Sequence, residues 1–209
     1  MSPSAAVDDA GVPNSPRILD STHIVWEKSI PKKWWRNAHE RASTPLAFSN
    51  AAGRFSHPTL PFNTLCLGSD PITCFWESGL GRNLNRRFST DRMVPENDLR
   101  ERIEYIVSLD STALRLFNAD DAAARRSIGA HSIACFQADH VVSRQWANAL
   151  FCAVAHGILY SSARSNGTCL ALFNSPATIG ALGLTNRVGS SYDNASLLAS
   201  LFLEGVRLL

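Results

Sequence analysis

A chain of 209 residues with 45% hydrophobic side chains, among them ten Phe and five Trp, is long enough for one domain with a sizeable core. Its 20 Lys+Arg stand against 18 Asp+Glu, a balance that excludes the general affinity of a nucleic-acid or membrane-surface binder. No apolar run approaches the roughly 20 residues of a membrane-spanning helix, and no signal-peptide core precedes the first polar segment.

Five cysteines, Cys66, Cys74, Cys135, Cys152 and Cys169, form neither a CxxC pair nor a metal-ligand spacing. Most stand among apolar neighbours, so buried, reduced thiols and a cytoplasmic location are expected. In that setting the glycosylation sequons beginning at Asn166 and Asn194 read as chance matches. A basic cluster at Arg82, Arg86 and Arg87, with Arg92 nearby, reads as solvated surface.

In chain order, residues 1–20 are rich in Ser, Ala, Pro and Asp without an apolar period, and they read as a disordered tail. Residues 21–209 are left for the domain. Trp26, Trp34 and Trp35 then interleave with Lys28, Lys32, Lys33 and Arg36. Such interleaving can stack bases; aromatics covering one edge of a core are the commoner use, and no direct nucleic-acid partner is expected. Residues 53–61 are loop-like, and Thr64–Leu67 is a short apolar strand closed by Gly68. Asp70 before Pro71 predicts a helix start, because the carboxylate can cap free N–H groups and proline suits the first turn. That helix should carry Ile72, Cys74, Phe75, Trp76 and Glu77 and stop near Gly79 or Gly81.

A second helix is expected from Pro95 to Leu109, with Leu99, Ile103, Ile106 and Val107 on one face, and a third from Asp110 to Ala124. Ser132–Gln137 reads as an extended connection. Ser143 should open a helix through Trp146, Ala149, Leu150, Ala153 and Val154, ending near Gly157. Strands follow at Ile158–Tyr160 and Cys169–Phe173, separated by a polar turn containing Gly167. Ser196–Leu209 fits either a strand or an apolar helix. Mixed order without a βαβ rhythm or an internal repeat predicts an α+β fold in a single compact domain.

Most catalytic patterns are missing. There is no Gly-rich phosphate loop, no GxSxG elbow and no His-x-x-x-His pair, and Asp139-His140 alone makes no metal site. Neither a metal nor a bound cofactor is expected. What stands out is polar residues in apolar settings. Glu77 follows Cys-Phe-Trp in its helix, where a buried carboxylate would need a cation or hydrogen bonds. Arg54 lies ahead of the strand leading there, and Ser161 and Ser162 follow an apolar strand beside Arg164. On pattern alone an Arg–Glu ion pair and a turn serine are the simpler reading; a site is the other.

Three segments tip that balance. Gly53-Arg-Phe-Ser56, the stretch Phe62 to Glu77, and Gly157-Ile-Leu-Tyr-Ser-Ser-Ala-Arg164 with Cys169-Leu-Ala-Leu-Phe173 resemble, in order and spacing, the motifs of the RES domain family over about residues 50–175. The resemblance puts the family arginine at Arg54, the glutamate at Glu77 and the serine at Ser162. It implies an ADP-ribosyltransferase-like fold with a mixed, split sheet flanked by helices, and NAD+ as substrate rather than cofactor. Family members act as toxins paired with an antitoxin that carries a helix-turn-helix domain. Some degrade NAD+ by hydrolysis or phosphorolysis, so phosphate is a possible co-substrate; others pass ADP-ribose to a protein acceptor. Phe55, Cys66, Ser161 and Arg164 are then candidates for substrate binding. Two departures accompany the match: tyrosines of the family pattern are replaced by Phe55 and Cys66, and both changes remove a hydroxyl. A non-catalytic binding protein on the same scaffold is thereby left open, as is a homo-oligomeric state.

Overall fold

The structure is a computed structural model that describes residues 15–42, 44–78, 80–81, 92–137, 140–162 and 165–209. Gly79, Arg82, Arg86, Arg87, Asp139, Arg164 and the first 14 residues of the expected tail lie outside them. The elements, in chain order, are β1 (Lys33–His39), β2 (Thr64–Gly68), α1 (Pro71–Glu77), β3 (Met93–Val94), α2 (Glu96–Arg100), β4 (Arg102–Leu109) and β5 (Leu116–Asn118). There follow α3 (Ala122–Ser127), α4 (Ala134–Gln137), α5 (His140–Cys152), β6 (Gly157–Ser161), β7 (Thr168–Phe173), α6 (Pro176–Ala181), β8 (Leu182–Ser190), α7 (Ala195–Leu203) and β9 (Arg207–Leu208).

Seven strands form one sheet in the order β5-β6-β7-β2-β1-β4-β8, and β3 pairs with β9 in a small separate ribbon. Within the large sheet only β5 and β6 run parallel. The sheet is split near its middle. β2 pairs with β7 from Thr64 to Gly68 and β1 with β4 from Lys33 to His39, yet β1 and β2 meet in register only at Trp35 and Gly68. Arg36 bridges the gap, donating from Nη1 to the Cys66 carbonyl at 3.2 Å and from Nε to the Pro45 carbonyl at 3.2 Å. The α+β class with a mixed, split sheet agrees with the sequence reading.

β6 and β7 are covered on both faces, which explains their continuous apolar runs. One face carries Ile158, Tyr160, Cys169, Ala171 and Phe173 against Phe55, Phe62 and the α5 residues Trp146, Ala147 and Leu150. The other carries Leu159, Leu170 and Leu172 against Leu65, Leu67, Trp34 and Val107. Each fully buried leucine contributes about 1.5–3 kcal/mol relative to exposure.

The α1 start follows expectation. Asp70 Oδ1 accepts from the Thr73 N–H at 2.8 Å and Pro71 opens the first turn. The helix ends at Glu77, with Ser78 as its cap, before either glycine. It lies so close to β2 that a Cβ on Gly68 would stand 2.5 Å from the Cys74 nitrogen. Only glycine fits that approach without displacement.

The middle of the chain departs from the helices expected there. Leu99 falls in the short α2, and after Glu101 the eight residues Arg102–Leu109 form β4, paired on both sides by β1 and β8. Ile103 and Val107, four apart and both buried, satisfy a period of two as well as one of 3.6. Strand partners decided between them. In place of the helix over 110–124 stand β5 and a helix that begins only at Ala122, capped by Asp121 through the Ala123 N–H at 2.7 Å. Ser132–Gln137 is not extended: α4 turns Cys135 and Phe136 into the core.

The helix predicted from Ser143 begins three residues earlier and closes at Cys152, after which Val154 takes a left-handed φ of 62°. Of the C-terminal segment, 195–203 is helix and Arg207–Leu208 is strand. The edge strand β8 has no counterpart among the expected elements. Trp34 is fully buried within the central β1, its Nε1 donating to the Pro31 carbonyl at 2.7 Å, so this tryptophan is core. All five thiols are free; Cys74, Cys135 and Cys169 are buried, Cys66 is half-buried and Cys152 is exposed. Residues 15–20 run as coil over α5, where Ser15 Oγ donates to Gln145 Oε1 at 3.1 Å. No described helix is long and apolar enough to cross a membrane.

Candidate active site

Side chains alternate along β6, so Tyr160 points with Ile158 into the face covered by α5, while Ser161 points the other way. Ser162 follows the strand end and restores the Tyr160 side; its N–H donates to the Gly167 carbonyl at 3.0 Å, and its Oγ accepts from the Ser165 N–H at 3.3 Å. Glu77, the last residue of α1, meets this pair. Tyr160 donates its hydroxyl to Glu77 Oε2 at 3.1 Å, and Ser162 donates to Oε1 at 3.2 Å. Each carboxylate oxygen therefore has its own hydroxyl donor.

Arg54 enters from the turn in which the Gly53 N–H donates to the Ser56 carbonyl at 2.9 Å. Arg144 of α5 anchors that turn, donating from Nε to the Gly53 carbonyl at 2.8 Å. The guanidinium lies 5.2 Å from the Tyr160 ring centroid, within cation–π range. Its Nη1 is buried and finds no hydrogen-bond partner among the described residues. A buried guanidinium N–H without an acceptor is costly, so an arriving anion would relieve it. Phe55 is buried and packs edge-to-face on Tyr160, with centroids 5.0 Å apart. Cys66 sits on the same sheet face, opposite Ala171.

Burial lifts the Tyr160 hydroxyl well above the usual phenol range; the Glu77 charge, then Cys169 and Cys66, add to the rise, and Arg54 opposes it. Tyr160 is thus a hydrogen-bond donor at any neutral pH. Burial first, then Glu77, Cys66 and Cys74, raise the Cys169 thiol far above its ordinary value, and burial pushes Cys74 up to about 12. Neither thiol ionises near neutrality, which excludes both as nucleophiles there.

The structure brings Arg54, Phe55, Glu77 and Ser162 into one cluster around Tyr160, with Cys66 on the same face. No Arg54–Glu77 ion pair forms among the described residues. Ser161 turns to solvent and donates to Asp120 Oδ2 at 2.7 Å, away from the carboxylate. Arg164 lies outside the described residues. Two contributors have no role of their own in the sequence reading. Tyr160 serves there as a strand residue and as the tyrosine that aligns Ser162 with the family pattern, although its place two residues before Ser162 already puts both on one face. Arg144 carries no sequence signal, because it acts from α5 on a turn 91 positions away. No cluster of three His, Cys, Asp or Glu side chains able to hold a metal occurs among the described residues.

Comparison with known proteins supplies the remaining facts. No curated protein matches the chain. The fold is similar to that of a chain in the crystal structure of the M. tuberculosis MbcT–MbcA toxin–antitoxin complex, with a TM-score of 0.55 and 17% identity, covering 84% of this chain and 90% of that one. At that identity the likeness concerns the fold alone. The model of the RES domain family matches residues 33–183, a span that contains the whole Arg54–Glu77–Ser162 cluster. The chain belongs to the RES domain family.

Proposed function

We propose that this protein consumes NAD+ by breaking the bond between nicotinamide and ribose. The observation that carries the reading is the Glu77 carboxylate, held at both oxygens by neutral hydroxyl donors beside an arginine whose buried Nη1 has no partner among the described residues.

The chemistry needs little else. The nicotinamide ring of NAD+ is cationic, so the C1′–N bond breaks with its electron pair passing to the ring nitrogen, and the leaving group departs neutral without a general acid. Positive charge left on the ribose has oxocarbenium character, which a fixed carboxylate stabilises. Glu77 takes that role and orients the nucleophile. Attack by water, which loses a proton to solvent, yields ADP-ribose; attack by inorganic phosphate yields the 1-phosphate of ADP-ribose. Arg54 binds the pyrophosphate, or the incoming phosphate, in the bidentate manner suited to guanidinium. Ser162, which donates to Glu77, also contacts the nicotinamide-side ribose or the carboxamide. Phe55, expected to stack on the substrate, is 3% exposed and packs on Tyr160 instead, supporting the site from the core, and Cys66 lies on the same sheet face.

The likeness to a toxin–antitoxin complex supports a cognate antitoxin as partner. The decisive experiment is incubation of the pure protein with NAD+, with and without phosphate, reading products by phosphorus NMR. Nicotinamide release is the expected result, and NAD+ intact at high enzyme concentration refutes the proposal. Radiolabel transferred from NAD+ to a lysate protein would instead assign the site to protein ADP-ribosylation. Nucleotide binding without turnover would fit a non-catalytic role, the outcome that the missing hydroxyls at Phe55 and Cys66 make worth measuring.

A further inference from the structure

We infer that Tyr160 is a positioning residue that sets the Glu77 carboxylate for its reaction, jointly with Ser162. The inference rests on the NAD+ reading only for the identity of the reaction, not for the clamp itself.

Three tyrosines occur in the chain, and Tyr160 is the one in this cluster; Tyr105 lies on β4 and Tyr192 stacks under Arg100. Its phenol makes three contacts with three different site residues. The hydroxyl donates to Glu77 Oε2 at 3.1 Å, the ring edge meets Phe55 at 5.0 Å between centroids, and a ring face lies 5.2 Å from the Arg54 guanidinium. The residue is 2% exposed, so the hydroxyl cannot exchange Glu77 for water without leaving the core. A glutamate at a helix end otherwise has free rotation about three side-chain bonds. Two donors from adjacent same-side positions of one strand region, one to each oxygen, hold its carboxylate plane in a single orientation.

Neither Phe55 nor Cys66 can donate a hydrogen bond from a phenol; the Tyr160 hydroxyl donates one to Glu77. Removing that donor should release one carboxylate oxygen and let the side chain rotate away from the orientation that the two bonds fix. A residue that merely filled space would have no such effect.

The test uses the full chain with Tyr160→Phe and Glu77→Gln, and Tyr105→Phe and Tyr192→Phe as assignment controls. In proton NMR a buried hydroxyl bonded to a carboxylate gives a slowly exchanging downfield signal. That signal should vanish in Tyr160→Phe, shift in Glu77→Gln and persist in both controls. In turnover assays Tyr160→Phe should lower kcat about tenfold with KM within about twofold. A downfield signal that is missing from the wild type, or unchanged in Glu77→Gln, overturns the inference. So does a Tyr160→Phe protein with the wild-type kcat. If Tyr160→Phe does not fold, the Glu77→Gln spectrum decides alone. A wild type that leaves NAD+ intact but shows the Glu77-sensitive signal refutes the NAD+ reading while keeping the clamp.

Discussion

The two halves of the split sheet are built on different terms. In β5-β6-β7-β2 both faces are covered, and Leu170, Ala171, Leu172 and Phe173 in succession are fully buried. In β1-β4-β8 one edge is open: Leu184 and Val188 of β8 are 47% and 49% exposed, and β4 shifts register twice against that strand. Tyr160, Ser162 and Cys66 belong to the first half, and Glu77 reaches them from the helix that follows β2. A site that must hold a carboxylate to a few tenths of an ångström is placed on the half with least freedom, as rigid elements hold geometry better than open edges.

The sharpest way to break this comparison is Glu77→Gln. NAD+ turnover should fall on the order of 10³-fold, with the melting temperature essentially unchanged, as followed by product release and thermal melts. Retained turnover would remove the chemistry from the first half altogether.

Next in size is a paired core test by denaturant unfolding. Leu170→Ala should destabilise by about 3 kcal/mol, within the range for a fully buried leucine, whereas Leu184→Ala on the open edge should stay within about 0.5 kcal/mol. Equal losses would mean that the two halves are equally load-carrying. At the joint between them, Gly68→Ala places a methyl 2.5 Å from the Cys74 nitrogen. A loss of about 1–3 kcal/mol is expected, together with reduced turnover because α1 carries Glu77. A stable protein with full activity would show that α1 can shift without moving its carboxylate.

The smallest effects concern pH, and the halves should respond with opposite sign. Glu104 of β4 is buried and accepts from Asn194 Nδ2 at 3.1 and 2.9 Å, yet burial outweighs these bonds and raises its carboxyl above the ordinary 4.5. The folded state then binds the proton more tightly than the unfolded one, so this group lowers stability as pH rises through and above 4.5. His156, just before β6, accepts the Arg115 N–H on Nδ1 at 2.8 Å, and burial, then Arg115, lower it from the ordinary 6.5. The unfolded state there binds the proton more tightly, so its contribution is complete above 6.5 and is lost as pH falls below that value. Melting-temperature profiles of Glu104→Gln and His156→Ala should each lose one of these slopes. A profile unchanged by either substitution would refute the corresponding assignment.

Legibility followed the same divide. Thr64–Leu67, the Asp70-Pro71 helix start, Ile158–Tyr160 and Cys169–Phe173 could be read directly, since continuous burial and a capping carboxylate are local properties of the chain. β4 could not, because Ile103 and Val107 fit a helix and a strand alike. β8 could not either, since its residues Leu182 to Ser190 are largely polar or small and gain their conformation from pairing with β4. Within the site, Glu77 and Ser162 were visible as polar residues in apolar surroundings. Tyr160 was hidden for the opposite reason: an aromatic at the end of an apolar strand looks like core, and by burial it is core.

The sequence by itself determined that the chain makes an α+β domain with a strand–cap–helix unit ending in a carboxylate, because hydrophobic periodicity and capping act over a few residues. It also placed Arg54, Glu77 and Ser162 in the order and spacing of the RES family. Only the tertiary structure decided that Glu77 faces Tyr160 and Ser162, 83 and 85 positions away, and that Ser161 faces Asp120 instead. Strand alternation and the close approach of α1 at Gly68 set those distances, and both depend on which strands become neighbours, a choice made by the whole core at once.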